Sequence, residues 1–383
     1  KYIQIINNMK KIKFIRNKKV KAIGVIIIIV FFMFILFLSS NPLDTSTNTK
    51  EFFKKNPQTG SEAESWSSGG SFFNWQSNNT KALELNIFYR TFGDIDNPAI
   101  VMIHGWPTSS YDFKELIAEL ENDFYIAVID TPGYGFSDKP RGNYKYSILD
   151  DARLLDFFIK DILKLSRFTL LTHDKGDTVG FAFLNLYQQA ISPKYQIDQH
   201  IIMNGGIYLP LAKLSAGQKY FPIPVFGYFM TRVIFTPDRF TSELAKIYLP
   251  ELNSEEQLNI SSIFQYQGGT TVLPKTLRYI QDRKKYEETW LKVLAQSDIP
   301  ITLIWGKLDP IAKTEIADFV WNNYLRNGNA EASYWQLPCS SHYPQNDQPK
   351  IIAQLIRRSA LDKKTLFSMD QNLECSAILV EET

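Results

Sequence analysis

An aspartate stands where a short apolar run gives way to a helical pattern. The run Phe168-Thr169-Leu170-Leu171 leads into Thr172-His173-Asp174-Lys175-Gly176-Asp177, and helical spacing begins near Lys175. This is the layout of a strand–turn–helix elbow, whose strained turn lifts one side chain above a sheet. The lifted residue would be Asp174, and no serine occupies that place. A carboxylate attacks saturated carbon and gives an alkyl ester, which separates it from serine acyl transfer. Taken alone, the aspartate reads equally well as an inert cap on the following helix.

Other polar residues follow the same rule of placement. Ile100-Val101-Met102-Ile103 ends in His104-Gly105-Trp106-Pro107. Tyr125-Ile126-Ala127-Val128-Ile129 leads into a Gly/Pro-rich loop over residues 130–140. Ile301-Thr302-Leu303-Ile304-Trp305 ends in Gly306-Lys307-Leu308-Asp309-Pro310, and Ser333-Tyr334-Trp335-Gln336-Leu337 leads to Ser341-His342-Tyr343-Pro344. Each candidate lies just past the C-terminal end of an expected strand, where open parallel sheets place their sites. Strands and helices alternate over residues 82–207 and again over 296–360, which predicts an α/β chain with a mostly parallel, doubly wound sheet. The intervening residues 208–295 carry many aromatics, several prolines and amphipathic stretches such as 242–248. That insert is too long for a loop and is expected to form a helical cap over the sheet's C-terminal edge. A cap excludes water and shapes a substrate pocket.

These motifs resemble an α/β-hydrolase of the epoxide hydrolase and haloalkane dehalogenase branch, over residues 82–360. The order nucleophile, acid, histidine is the one expected for that fold. A narrower likeness, to one subfamily, rests on His173-Asp174-x-Gly176-Asp177, Asn204-Gly205-Gly206-Ile207, Tyr279-Ile280 with Gln281-Asp282-Arg283-Lys284-Lys285, and Ser341-His342-Tyr343-Pro344-Gln345. The resemblance implies that Asp174 attacks an electrophilic carbon and forms an alkyl-enzyme ester. His342 would then take a proton from water, as an imidazole near its neutral titration range does readily. Asp309 would orient that imidazole and stabilise its cation; alone, it reads as a loop aspartate before Pro310. The backbone N–H groups of Trp106 and Lys175 would form the oxyanion hole. Epoxide hydrolases use cap tyrosines to protonate the opening ring, and Tyr279 is the best single candidate here, with packing as the competing role. No metal or organic cofactor is implied. Of the four histidines, His104 and His173 lie inside motifs and would support loops, while His200 precedes an expected strand and reads as peripheral.

Two positions depart from the family pattern. Haloalkane dehalogenases place a halide-binding tryptophan after the nucleophile, where this chain has Lys175. That lowers the dehalogenase reading, although a lysine could bind an anion. Asp177 stands where most relatives have a small residue; it could raise the pKa of Asp174 or pair with Lys175 on the surface. The leading reaction is therefore epoxide opening on a lipophilic small molecule. Haloalkane dehalogenation or another α/β-hydrolase activity, and a catalytically silent binding protein on the same fold, stay open.

The N-terminus reads separately. Residues 22–38 are apolar and free of charge, and follow seven Lys or Arg between Lys10 and Lys21. This is enough to span a bilayer. The basic flank, residues 1–21, would be cytoplasmic and the catalytic part luminal, in a single-pass membrane protein of the endoplasmic reticulum. A cleaved signal peptide competes, but the run exceeds a usual h-region. Residues 39–81, rich in Ser, Asn, Gly and Thr, read as a linker, and residues 361–383 as a tail. Asn78-Asn79-Thr80 and Asn259-Ile260-Ser261 are glycosylation sequons that agree with a luminal side. Net charge is +2, which argues against a nucleic-acid partner. The two cysteines, Cys339 and Cys375, lack metal-site spacing, and the polar setting of Cys375 argues against a structural disulfide.

Overall fold

The computed structural model describes residues 21–30, 33–34, 48–78, 83–191, 193–223, 226–328, 331–360 and 375–383. It divides into two units, residues 1–43 and 44–383. In the first, residues 21–30 and 33–34 are helical, with Ile23 to Val30 largely exposed apart from the small Gly24. Residues 31–32 and 35–38 of the expected anchor, residues 1–20 and the tail residues 361–374 lie outside the described residues. Among the described residues no helix is long and apolar enough to cross a membrane.

The second unit is built on one nine-stranded sheet. Its strands are β1 (Ser71–Ser77), β2 (Leu83–Phe92), β3 (Ala99–Ile103), β4 (Tyr125–Ile129), β5 (Arg167–His173), β6 (Gln196–Met203), β7 (Ile301–Gly306), β8 (Ala332–Leu337) and β9 (Ile378–Glu382). Their order across the sheet is β1-β2-β4-β3-β5-β6-β7-β8-β9. The run from β4 through β8 is parallel, and antiparallel strands close both edges. Strands β3, β5 and β7 are buried along nearly their whole length because helices cover both faces, leaving no solvent side to favour alternation. After β3 the chain crosses to β4 on one side and then to β5 on the other. That reversal opens a crevice at the C-terminal ends of β3 and β5.

Between β6 and β7 the chain forms helices, among them Pro237–Ala245, Ser254–Gln265 and Arg278–Ala295. The last packs along the Lys175–Gln189 helix.

Residues 49–77, read from composition as linker, form two helices (Thr49–Lys55 and Ser61–Ser68) and the edge strand β1. Aromatics carried within the polar stretch account for this: Phe52, Phe53, Trp66, Phe73 and Trp75 are all buried. Phe52 meets Tyr266 edge-on at 5.5 Å, and the Ala63 N–H donates to Asn259 Oδ1 at 3.2 Å. Asn259 is fully buried by that contact, so the sequon it begins is closed to glycosylation in the folded chain. The other sequon runs into undescribed residues 79–80. Cys339 and Cys375 form a disulfide, against the expectation from the polar tail. The bridge sits where β9 returns to pair with β8, an edge pairing that the local composition around Cys375 does not reveal.

Candidate active site

Asp174 follows β5 with φ 51° and ψ −111°, a conformation that L residues rarely adopt and that strained functional turns retain. Small neighbours make the turn possible. A Cβ on Gly105 would lie 2.7 Å from the Asp174 Cβ, and one on Gly176 would lie 2.3 Å from the Ile103 carbonyl oxygen. The backbone therefore brings the ends of β3 and β5 together, and the Trp106 N–H donates to Asp174 Oδ1 at 2.8 Å. Lys175 opens the helix that follows, so its N–H is one of the helix's first donors, which lack a partner inside the helix.

His342 and Asp309 meet Asp174 from the loops after β8 and β7. The His342 Nδ1–H donates to Asp309 Oδ2 at 2.8 Å, which leaves Nε2 facing Asp174 Oδ2 at 3.9 Å. Burial alone would push the His342 pKa down. The Asp309 carboxylate and its hydrogen bond outweigh that, Asp174 adds to them, and the pKa is pushed up to about 9. Burial likewise opposes ionisation of Asp309, but the His342 imidazole, the Asn204 amide and the Ile311 N–H hold its carboxyl below the usual range.

Asn204, singled out from the sequence only as part of a motif, is the hub of this corner. It follows β6 with φ 46°. Its Nδ2 donates to Asp309 Oδ2 at 2.8 Å, and its Oδ1 accepts from the Gly306 N–H at 2.9 Å. His173 is a second tie: Nε2–H donates to the His342 carbonyl at 2.7 Å. His104 donates from Nδ1 to the Gly105 carbonyl at 2.8 Å and accepts the Thr131 N–H at Nε2. Burial holds His104 and His173 near pKa 3 and 4, in that order, so both stay neutral and serve the loops. His200 is not peripheral: it lies within β6, fully buried, with Nε2 2.9 Å from Thr172 Oγ1. A strand flanked by helices on both faces hides even its polar residues.

Lys175 and Asp177 do not pair. The Lys175 side chain turns inward, 2.8 Å from Asp151 Oδ2, 3.1 Å from Thr131 Oγ1 and over the Tyr134 ring. Asp177 is fully buried below the elbow, where a Cβ on Gly205 would come 2.1 Å from its Oδ2. Thr172 and the Met203 backbone lie near the Asp177 carboxyl, but no well-formed hydrogen bond reaches either oxygen. Burial raises its pKa well above the usual range.

A cavity of about 430 Å³ opens over Asp174 and His342. Its wall is mostly apolar, with Trp106, Phe221, Phe235, Phe240, Leu244 and Ile247 among its residues. The Trp106 indole N–H is held by Thr276 Oγ1 at 3.1 Å. Tyr279 is buried at the start of the Arg278–Ala295 helix, and its OH accepts from Gln218 Nε2 at 2.8 Å. Gln218, not Tyr279, lines the cavity. Burial, with Asp174 adding, raises the Tyr279 pKa, so its proton is retained. Arg283, absent from the residues expected at the site, lies one turn further on. It donates to Thr178 Oγ1 at 2.6 Å and reaches the Asp174 carbonyl at 3.5 Å. Its four-residue spacing from Tyr279 on one helical face was the available signal. Among the described residues no His/Cys/Asp/Glu cluster has the make-up of a metal site.

Comparison with known proteins agrees with this architecture. The alpha/beta hydrolase fold family matches residues 98–193. The mesoderm-specific transcript protein of Mus musculus is 33% identical over 304 residues, covering 76% of this chain and 86% of its own. Human epoxide hydrolase 4 is 25% identical over 289 residues, covering 71% and 75%. The crystal structure of haloalkane dehalogenase DbeA from Bradyrhizobium elkani superposes with a TM-score of 0.60 at 21% identity, covering 76% of this chain and 98% of that one, a likeness of fold. The 33% identity to the Mus musculus protein, sustained over 76% of this sequence, places the chain in the mesoderm-specific transcript family of α/β-hydrolases.

Proposed function

We propose that the protein is a membrane-anchored hydrolase that opens a lipophilic epoxide through an ester on Asp174. The observation that carries this reading is the Asp174 carboxylate itself. Its Oδ1 is held by the Trp106 N–H, and its Oδ2 faces His342 Nε2 at 3.9 Å, without a hydrogen bond, in the wall of an apolar cavity.

The steps follow from these positions. Oδ2 attacks a ring carbon; the C–O bond of the epoxide breaks, and the ring oxygen takes a proton from the Tyr279 OH once that phenol turns from Gln218 into the cavity, whose lining it does not form at rest. Esterification removes the negative charge of Asp174. One of the carboxylates that raise the His342 pKa is then gone, so the imidazole becomes a stronger candidate to lose its proton and act as base. His342 Nε2 takes a proton from water, whose oxygen attacks the Asp174 carbonyl carbon. The Trp106 and Lys175 N–H groups stabilise the tetrahedral oxyanion. Collapse releases the diol and restores the carboxylate, with His342 again protonated; the proton that His342 shed before acting as base returns the Tyr279 phenolate to its neutral form.

Lys175 disfavours the dehalogenase alternative, because its ammonium points to Asp151 and away from a leaving halide. The apolar run 22–38 after a basic flank supports a membrane anchor. The Cys339–Cys375 bridge supports a catalytic unit on the oxidising, luminal side of the endoplasmic reticulum.

Single turnover of excess protein with a lipophilic epoxide in H₂¹⁸O tests the ester. The label should enter the Asp174 carboxylate and not the first diol. Label in the diol with none in the protein would mean that water attacks the substrate directly.

A further inference from the structure

The described cap residues 220–223 and 226–234 have two faces with different destinations. Phe221, and Phe235 just beyond the segment, turn inward and line the cavity over Asp174, with ring centroids 5.4 Å apart. Between and beside them, Tyr220, Ile223, Phe226, Tyr228 and Ile234 are 37–54% exposed. Soluble surfaces seldom gather large apolar side chains this way, and such a patch at the rim of a cavity marks an interaction site. Its composition favours lipid over protein. Tyr and Phe suit the boundary between acyl chains and headgroups, and residues 211–239 carry Lys213, Lys219, Arg232 and Arg239 against Asp238. Those cations suit the phosphates of lipid headgroups. The same chain carries the exposed apolar helical residues 23–30, and under the reading of an anchored protein the catalytic unit stays near a bilayer.

We propose that cap residues 220–223 and 226–234 dock on the lipid bilayer, so that an apolar substrate passes from the membrane past Phe221 and Phe235 into the cavity. What enters rests on the epoxide reading above; the docking itself does not.

The test uses the full chain in vesicles of phosphatidylcholine and phosphatidylserine. A bimane label is placed on Phe226→Cys or, as control, on Ile95→Cys. Ile95 is exposed on the β2–β3 connection, at the end of the sheet away from the site. The native cysteines are bridged and do not react. Doxyl-labelled lipids should quench the label at 226 roughly threefold more than at 95, as expected for side chains that enter the headgroup boundary. Equal quenching at the two positions overturns the proposal. So does label-to-label quenching at 226 without quenching by lipid, which would make the patch an interface between copies of the chain. A second arm replaces Ile223 and Phe226 with Glu. Turnover of a long-chain epoxide held in the vesicles should fall about tenfold, with a short water-soluble epoxide unaffected. Lipid quenching at 226 without turnover of either substrate would uphold the docking and refute the epoxide reading.

Discussion

His173, the residue before the candidate nucleophile, donates its Nε2–H to the carbonyl of His342, the candidate base, at 2.7 Å. The elbow and the histidine loop are thus tied by one hydrogen bond that contains neither reacting group. Replacing His173 with Phe keeps the ring volume and removes the donor. Ester hydrolysis should slow by about 10–100-fold, with ester formation less affected, since His342 acts only in the second step. Rapid-quench kinetics separates the two steps, and His173→Gln, which can still donate, should recover part of the loss.

The charge state of His342 is set by nearby carboxylates, among which Asp309 contributes more than Asp174. In Asp174→Asn the His342 pKa should fall below its value of about 9, and in Asp309→Asn it should fall further. Titration of the imidazole by NMR reads both. The linkage has a definite sign. The folded pKa lies above the unfolded value of about 6.5, so the stabilisation is complete below pH 6.5 and is lost as the pH rises through 9. The stability advantage of the natural chain over Asp309→Asn, measured by urea unfolding, should therefore shrink between those limits.

Lys175 and Asp151 form a buried ion pair immediately behind the elbow. Lys175→Met would leave the Asp151 carboxyl without its partner, at a cost of about 3–5 kcal/mol. The double change Lys175→Met with Asp151→Asn removes both charges and should recover most of that loss. Denaturant unfolding of the three proteins checks it.

Much of this site was legible as punctuation. His104-Gly105, Asp174-x-Gly176, Asp309-Pro310 and His342 each interrupt an apolar run, and the structure sets each of these breaks at a strand's C-terminal end. What was hidden lay in side-chain direction. Lys175 and Asp177 both belong to the first turn of one helix, but sequence spacing alone does not say that one turns to Asp151 and the other beneath the backbone of the elbow. Asn204 could be seen as part of a motif, but its tie to Asp309 needs β6 and β7 to be neighbours. Composition misled at the N-terminal edge, where Phe52, Phe53, Trp66 and Trp75 outweigh the serines and glycines around them. It misled again at Cys375, whose partner is fixed by the pairing of β9 with β8.

Asn204→Ala should release Asp309 from the Asn204 amide while leaving Asp174 in place. A loss of about 1–3 kcal/mol in the step that needs His342 is expected from one buried hydrogen-bonding group. Asn204→Gly, which tolerates the positive φ at this position, separates backbone strain from the lost hydrogen bonds. Single-turnover rates of ester hydrolysis for the two variants should fall together if the side chain's hydrogen bonds are what matters.

The central claim is a covalent ester on Asp174, and His342→Gln should let it accumulate. The full-length variant is incubated with a panel of lipophilic epoxides, and its intact mass and Asp174 peptide are recorded. The account predicts an adduct equal to the whole mass of the epoxide, carried on Asp174. A folded variant that carries no adduct, while the natural chain turns over the same epoxide, would contradict it.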